Sequence, residues 1–455
     1  MFGKVKRIHF IGIGGIGMSG IAQVVKNLEF KVTGSDLKIG DAVKVLRKQG
    51  IKVFKGHHPR NIGKADVVVY SSAVTSDNIE LITARSKQIP TIPRAEMLAE
   101  LMRMKIGVAV AGTHGKTTTT SLVGAVLEAG GLDPTVVIGG RLMTTGRNYR
   151  LGESRYLVVE ADESDASFLH LSPVFIIITN VEREHLDFYH DLEEIKTSFR
   201  KFTEKVPFWG SVIINSDHIV NQALIPTIKK RIVTYGLYNS ADIRGADVEW
   251  TNWSSRFKIL YQDKVLGRLK ISLPGIHNIQ NCLAAVAIGI ELGISFSKIR
   301  RGLLNFPGVH RRMEMIGEAR GVLFFDDYGH HPTEIANTLA TLRNRFEKNR
   351  IIAVFQPHRY TRVYHLIDDF ARAFYNCDIV LVTAIYAAGE KPIPGITGRM
   401  VAERLDAEHS KVEFVGSLRN LNRRLDRLLK EGDVLITLGA GDITRIGRRL
   451  CQDLQ

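Results

Sequence analysis

Cysteine is scarce. Cys282, Cys377 and Cys451 are far apart, odd in number and outside any C-x-x-C spacing. That pattern argues against a disulfide framework and a zinc site, and it fits a reducing, cytoplasmic compartment. Long apolar runs are missing as well: none reaches the roughly 18 residues that a membrane span needs. Signatures of nucleic-acid binding are absent, with no helix-turn-helix, RNP or zinc-finger pattern and no stretch in which aromatic residues alternate with basic ones. Internal repeats and low-complexity segments do not occur.

What is present is a chain of 455 residues, 44% hydrophobic and 24% charged, long enough for about three domains. Lys and Arg number 62 against 47 Asp and Glu, a net charge of +15 spread along the whole chain. Such a balance suits solubility and the attraction of anionic small molecules. Lys4, Lys6 and Arg7 ahead of an apolar stretch from Ile8 mimic a secretion signal, but a strand and a glycine loop explain that stretch better.

The chain is organised around Val108-Ala-Val-Ala-Gly-Thr-His-Gly-Lys-Thr117, an apolar run and a glycine turn that lead into a helix-like segment. Gly112 and Gly115 let backbone N–H groups converge on phosphate oxygens, the helix N-terminus adds positive dipole, and Lys116 supplies a cation. Thr117 is placed to hold Mg²⁺. The general pattern wants a glycine at position 110 and finds Val110. Downstream, the strand-like Arg155–Glu160 ends in a carboxylate suited to the same ion, with Asp162 beyond it. The next strand leads to Glu182-Arg-Glu-His185-Leu-Asp187, where imidazole and carboxylate together suit a second metal ion.

Upstream, Gly12-Ile-Gly14-Gly15-Ile16-Gly17 between a strand and a helix fits G-x-G-x-x-G, and Asp36 at the end of the next strand can meet a ribose hydroxyl. The physics requires a pyrophosphate at a helix N-terminus, which a dinucleotide or a UDP-sugar supplies equally well. Ser71-Ser72 sits at the ligand edge of the same open sheet. Further on, Ala241 to Leu273 has the pattern of β hairpins. Asn278 and Asn281 share one face at a helix start, which suits capping or a ligand. Beyond Arg311-Arg312, strands alternate with helices again, and their ends carry Asp326-Asp327, His330-His331 and Arg359/Arg362. The expected architecture is α/β in three domains: 1–104 Rossmann-like, 105–318 P-loop ATPase-like and 319–455 Rossmann-like.

Over all three domains the chain resembles the Mur ligases, ATP-dependent amide-forming enzymes of peptidoglycan precursor synthesis. That family's phosphate loop is Gly-Thr-x-Gly-Lys-Thr, which accommodates Val110. Gly12-Ile-Gly-Gly-Ile-Gly-Met18, Asp326-Asp-Tyr-Gly-His-His-Pro332, Gln356-Pro-His-Arg-Tyr-Thr-Arg362 and Ala387-Ala-Gly-Glu-Lys-Pro392 resemble the branch that adds L-alanine to UDP-N-acetylmuramate. The resemblance implies ATP contacts from Gly112, Thr113, His114, Gly115, Lys116, Thr117, Thr118, Asn278, Asn281 and Arg312. It implies two Mg²⁺ held through Thr117, Glu160 and His185, and a catalytic group of Lys116, His185, Arg312 and Asp327. Gly14, Gly15, Ile16, Gly17, Asp36 and Ser71 are then expected to bind the UDP-sugar, and Tyr328, His330, Arg359 and Arg362 to receive L-alanine. Sister ligases carry a carbamylated lysine beyond the metal-binding histidine; Lys196, Arg200 and Lys201 are out of register for it, so none is assigned. The expected protein is a monomer or weak dimer with small-molecule substrates and no nucleic-acid or membrane partner. Linkers near Lys105 and Gly317 are the expected hinges.

A nicotinamide oxidoreductase would explain Gly12 to Asp36 but leave the phosphate loop idle. A guanine-nucleotide switch would need N-K-x-D, which does not occur.

Overall fold

Three sheets carry the chain, each with its ligand edge at the C-terminal ends of parallel strands. The computed structural model describes residues 5–454 apart from Ser72, Thr144, Thr145, Arg147, Asn252, Ser410 and the side chain of Ile16. Ser72 and the Ile16 side chain, both expected near the sugar nucleotide, thus lie outside the described residues.

β1 (Arg7–Ile11), β2 (Lys31–Asp36), β3 (Lys52–Lys55), β4 (Val67–Tyr70) and β5 (Thr91–Pro93) form a parallel sheet in the order β3-β2-β1-β4-β5. Strand order reverses between β1 and β4, and the glycine loop leaves β1 at that crevice to enter helix Ile16–Asn27. Beneath it Glu80, fully buried, accepts hydrogen bonds from Ser35 Oγ (2.5 Å), Asn61 Nδ2 (2.7 Å) and the His58 N–H (3.0 Å), and lies 3.2 Å from His9 Nε2. A buried carboxylate this well paired ties β1, β2 and the segment after β3 together.

The middle sheet contains β6 (Ile106–Ala111), β7 (Thr135–Val137), β8 (Tyr149–Arg150), β9 (Tyr156–Glu160), β10 (Phe175–Ile178), β11 (Ser211–Asn215), β12 (Ile232–Gly236), β13 (Ile243–Thr251), β14 (Ser254–Tyr261) and β15 (Lys264–Ile271). Their order is β15-β14-β13-β12-β11-β10-β6-β9-β7-β8. β6 is central and covered on both faces, which is why it is an unbroken apolar run rather than an alternating one. β13 to β15 make the expected antiparallel meander.

The third sheet comprises β16 (Glu314–Ala319), β17 (Val322–Asp327), β18 (Ile351–Phe355), β19 (Ile379–Thr383), β20 (Val412–Gly416) and β21 (Val434–Leu438), ordered β16-β17-β21-β18-β19-β20. β16 runs antiparallel to β17, so this sheet begins at Glu314 rather than after 318. Gly317, expected in a hinge, lies inside β16 at a register shift. The backbone bends earlier, where Arg311 (φ 59°) and Met313 (φ 50°) are left-handed. Near the other expected hinge, helix Arg94–Arg103 buries Met97, Leu98, Leu101 and Met102 in one cluster with the first-domain core and one face of the middle sheet. The third domain has clusters of its own.

Candidate functional site

The phosphate loop is strapped down by its neighbours. The N–H groups of Thr113 and His114 donate to Asn180 O (3.0 Å) and Oδ1 (2.8 Å), and Thr179 Oγ1 donates to His114 O (2.6 Å). Gly112 (φ 134°) lies so close to Thr179 and Asn180 that a Cβ would overlap both. At Gly115 (φ 80°) a Cβ would stand 2.7 Å from Asn281 Oδ1, the oxygen that accepts from Thr119 Oγ1 (3.1 Å). Asn281 therefore braces the start of helix Lys116–Gly130 from across the fold, while Asn278, in the first turn of its own helix, donates its side-chain amide to Pro274 O (2.7 Å).

Lys116 Nζ donates to Gly112 O (2.5 Å), Thr113 O (3.2 Å) and Glu163 Oε1 (2.7 Å). Burial disfavours its charge, but Glu163, Asp162 and Glu160 outweigh that and hold its pKa above the ordinary value. Burial pushes Glu163 up to about 7 against the pull of Lys116. The contact is an ion pair whose cation is the firmer partner. Glu163 also lies 3.8 Å from His185 Nε2. Among the described residues no hydrogen bond reaches Glu160 Oε1 or Glu163 Oε2, both buried. Burial lowers the pKa of His185 to about 4, leaving a neutral imidazole on a left-handed residue (φ 56°). Hard carboxylate oxygens without partners, a threonine hydroxyl and a neutral imidazole are a donor set that fits Mg²⁺.

Two cavities flank the loop. One, about 270 Å³, is lined by His114, Gly115, Thr118, Asn278, Asn281, Arg312 and Asp327 among others. The other, about 780 Å³, is lined by Thr113 to Thr117, Glu160, Asp162, His185, Arg312, Tyr328 and His330. Arg312 borders both and reaches Glu334 at 3.2 Å. Asp327 takes the N–H groups of Met313 and Gly329, each at 2.6 Å, and burial pushes its pKa up to about 6. Arg311 and Arg312 lie over the Tyr328 ring at 4.9 and 5.3 Å. Burial, and then Arg362, lower His330 to about 3.

The segment Glu182–Asp187 joins the middle and third domains. Glu182 accepts from Thr333 Oγ1 (2.7 Å), and Glu184 accepts from Arg362 Nε (2.9 Å). Asp187 lies 3.4 Å from Arg359 NH1. His114 sits between Glu182 and Glu334, each at 3.5 Å; burial alone would lower its pKa, but the two carboxylates raise it to about 9. Of the four residues expected to receive alanine, Tyr328 and His330 line the large cavity and the two arginines do not. Arg362 is buried and committed to Glu184, whereas Arg359, about one-third exposed, has among the described residues only the longer side-chain contacts to Asp187 and to Glu390 (3.8 Å).

In the first domain, Gly14 N–H donates to Asp36 Oδ2 (2.8 Å) and Lys38 N–H to Oδ1 (3.0 Å), so both oxygens of the carboxylate expected to meet a ribose already have partners, one of them in the glycine loop. Gly12 (φ 74°) packs on Ser71, and a Cβ on Gly17 would stand 2.9 Å from Arg94 NH1. The other terminal nitrogen of the same guanidinium lies 3.7 Å from Asp162, which lines the large cavity, so Arg94 stands between the sugar-nucleotide loop and that cavity. Arg94 and Glu163 escaped the sequence reading. Arg94 belongs to no motif, and Glu163 follows Glu160 and Asp162, which already satisfied the search for an acidic strand end. Lys196 pairs with Glu193 at 2.7 Å on its own helix and does not approach His185 through any contact among the described residues.

Comparison with known proteins supports this three-part arrangement. Residues 7–106 match the model for the Mur ligase family, catalytic domain, 110–289 the Mur ligase middle domain, and 311–441 the Mur ligase, glutamate ligase domain. A UDP-N-acetylmuramate–L-alanine ligase of Desulfatibacillum aliphaticivorans is 50% identical over 98% of both chains. The crystal structure of a UDP-N-acetylmuramate–alanine ligase from Thermotoga maritima superposes with a TM-score of 0.82 at 31% identity, covering 98% of each chain. A murein peptide ligase from Psychrobacter arcticus has a TM-score of 0.72 at 25% identity, covering 99% of this chain and 98% of that one. With its glycine loop, its Gly-Thr-His-Gly-Lys-Thr turn and the histidines that follow β17 and β18 falling in turn within these three matches, the chain belongs to the Mur ligase family.

Proposed function

We propose that this chain joins L-alanine to UDP-N-acetylmuramate at the expense of ATP, an early cytoplasmic step of peptidoglycan synthesis. The observation that carries the reading is the 780 Å³ cavity, into which the phosphate loop and the strand ends of the third domain both open. ATP enters with its base in the smaller cavity, beside Asn278, Asn281 and Thr118, and its phosphates along Gly112 to Thr117. Thr117 and Glu160 would hold one Mg²⁺, and His185 with the unpartnered oxygen of Glu163 would hold a second. These ions would neutralise the phosphate oxygens and polarise the transferring group.

The lactyl carboxylate of UDP-N-acetylmuramate attacks the γ-phosphorus and ADP leaves. The alanine amine then attacks the carbonyl carbon of the acyl phosphate, loses a proton and expels inorganic phosphate. Lys116 and Arg312 face the charge that develops on the phosphoryl group, and Asp327 fixes the backbone around Arg312. Gly14 to Gly17, Ser71 and Arg94 hold the diphosphate of the sugar nucleotide. Tyr328 and His330 border the alanine pocket. Arg359 can exchange Asp187 for the alanine carboxylate, while Arg362 serves closure of the third domain on Glu184.

Phosphate release from ATP, measured with UDP-N-acetylmuramate and each amino acid in turn, tests the proposal. Release that requires both the sugar nucleotide and L-alanine is expected. Release supported by a peptide and not by alanine would instead give the chain the activity for which the Psychrobacter relative is named.

A further inference from the structure

The edge of the middle sheet opposite the phosphate loop carries a feature that catalysis leaves unused. Before β11 the chain makes the turn Pro207-Phe-Trp-Gly210, closed by a hydrogen bond from Gly210 N–H to Pro207 O (3.0 Å). Central turn positions ordinarily go to polar or small residues, yet here they hold Phe208, 94% exposed, and Trp209, 54% exposed. The turn is anchored on both sides. Val206 is buried, and Gly210 lies so near Val174 O that a Cβ would overlap it. The two rings are therefore presented outward from a fixed base.

The surroundings are basic. Arg200 and Lys201 end helix Leu192–Thr203, and Lys205 precedes the turn. β11 and β12 run parallel with Val212 opposite Ile232 and Val212 N–H donating to Arg231 O (2.8 Å), so Lys229 and Lys230, just ahead of β12, lie at the same end of the sheet as the turn. None of these five cations forms an ion pair among the described residues, and Glu204 is the one acid between Arg200 and Gly210. Exposed aromatics rimmed by unpaired lysines match the chemistry of an anionic bilayer surface, where rings enter the headgroup region and lysines meet lipid phosphates.

We propose that the Pro207–Gly210 turn and its basic rim dock this protein on an anionic lipid surface. No helix among the described residues is long and apolar enough to cross a membrane, so the association is peripheral and reversible. The phosphate loop lies at the C-terminal ends of the same parallel strands, roughly 17 Å away for a strand of five residues. A docked molecule keeps its nucleotide site off the lipid.

Co-sedimentation of the full chain with vesicles, half phosphatidylglycerol or all phosphatidylcholine, tests this at physiological salt. Binding to the anionic vesicles only is expected. It should fall about tenfold or more in Phe208→Ser/Trp209→Ser, and likewise in Lys229→Glu/Lys230→Glu, with ligase turnover unchanged in both. Trp209→Phe should keep the binding and lose a blue shift in fluorescence that the wild type shows on adding vesicles. Absence of vesicle binding would overturn the proposal, and so would binding that survives loss of both rings, which would reduce it to general attraction for a chain of charge +15. Turnover measured on the same samples separates these outcomes from failure of the proposed ligase activity.

Discussion

Two glycine loops, each between a central strand and a helix, are held in different ways. The first-domain loop is held mainly by backbone bonds and by Asp36, and the guanidinium beside Gly17, that of Arg94, comes from another helix. The middle-domain loop is pinned by Thr179, Asn180 and Asn281, and it carries its own cation already matched to a buried carboxylate. In the proposed reaction the same geometry serves two ends. A loop that only holds a diphosphate needs converging N–H groups, whereas a loop that transfers a phosphoryl group also needs charge fixed in advance.

The strongest way to break that contrast is Lys116→Ala. Loss of a charge on the transferring group should slow ligation by about 10³-fold or more, while UDP-N-acetylmuramate affinity, read by calorimetry, changes little. Near-normal turnover would remove Lys116 from the mechanism. Gly14→Ala is the counterpart: its Cβ would stand 2.8 Å from Asp36 Oδ2 and 2.9 Å from Val43 Cγ2, displacing the N–H groups of the first loop. KM for the sugar nucleotide should rise on the order of tenfold to a hundredfold, the equivalent of about 1.4–2.8 kcal/mol, with KM for ATP unmoved.

Arg359→Ala sharpens the division further. A charge-assisted hydrogen bond is worth about 1.5–3 kcal/mol, so KM for L-alanine should rise at least about tenfold while the other two substrates are unaffected. Equal changes in all three would indicate a folding defect.

The smallest expected effect concerns stability under the first loop. Burial would raise the pKa of Glu80, but His9, Ser35, the His58 N–H and Asn61 outweigh it and bring the carboxyl down to about 2. A depressed carboxylate stabilises the fold above its unfolded pKa of about 4.3, and that contribution is lost as pH falls toward 2. Glu80→Gln should therefore cost about 1–3 kcal/mol at pH 7, read as a lower Tm. The gap to wild type should narrow in acid, and a gap that does not depend on pH would exclude this linkage.

Both loops were legible because glycine spacing between an apolar run and a helix has a narrow structural meaning. Lys116, Thr117, Glu160 and His185 were candidates on the same footing, since each lies at the end of β9 or in the segment that follows β6 or β10 of one sheet. Contacts between domains were not legible. Arg362 stands in a motif that suggested a substrate carboxylate, and only the fold brings Glu184, 178 positions away, against it. The start of the third sheet was missed because β16 is polar and partly exposed, without the apolar run that marked the other strands.

The two left-handed residues on either side of Arg312 bear on how Mur ligases could be recombined. Each such turn stores about 1–3 kcal/mol of backbone strain, and together they aim one guanidinium at both cavities. A chimera spliced at 318/319, inside paired β16, would sever that strand from β17, and one spliced between 309 and 313 would re-aim Arg312. Grafting is better done ahead of Pro307, so that the whole bend travels with the domain it serves.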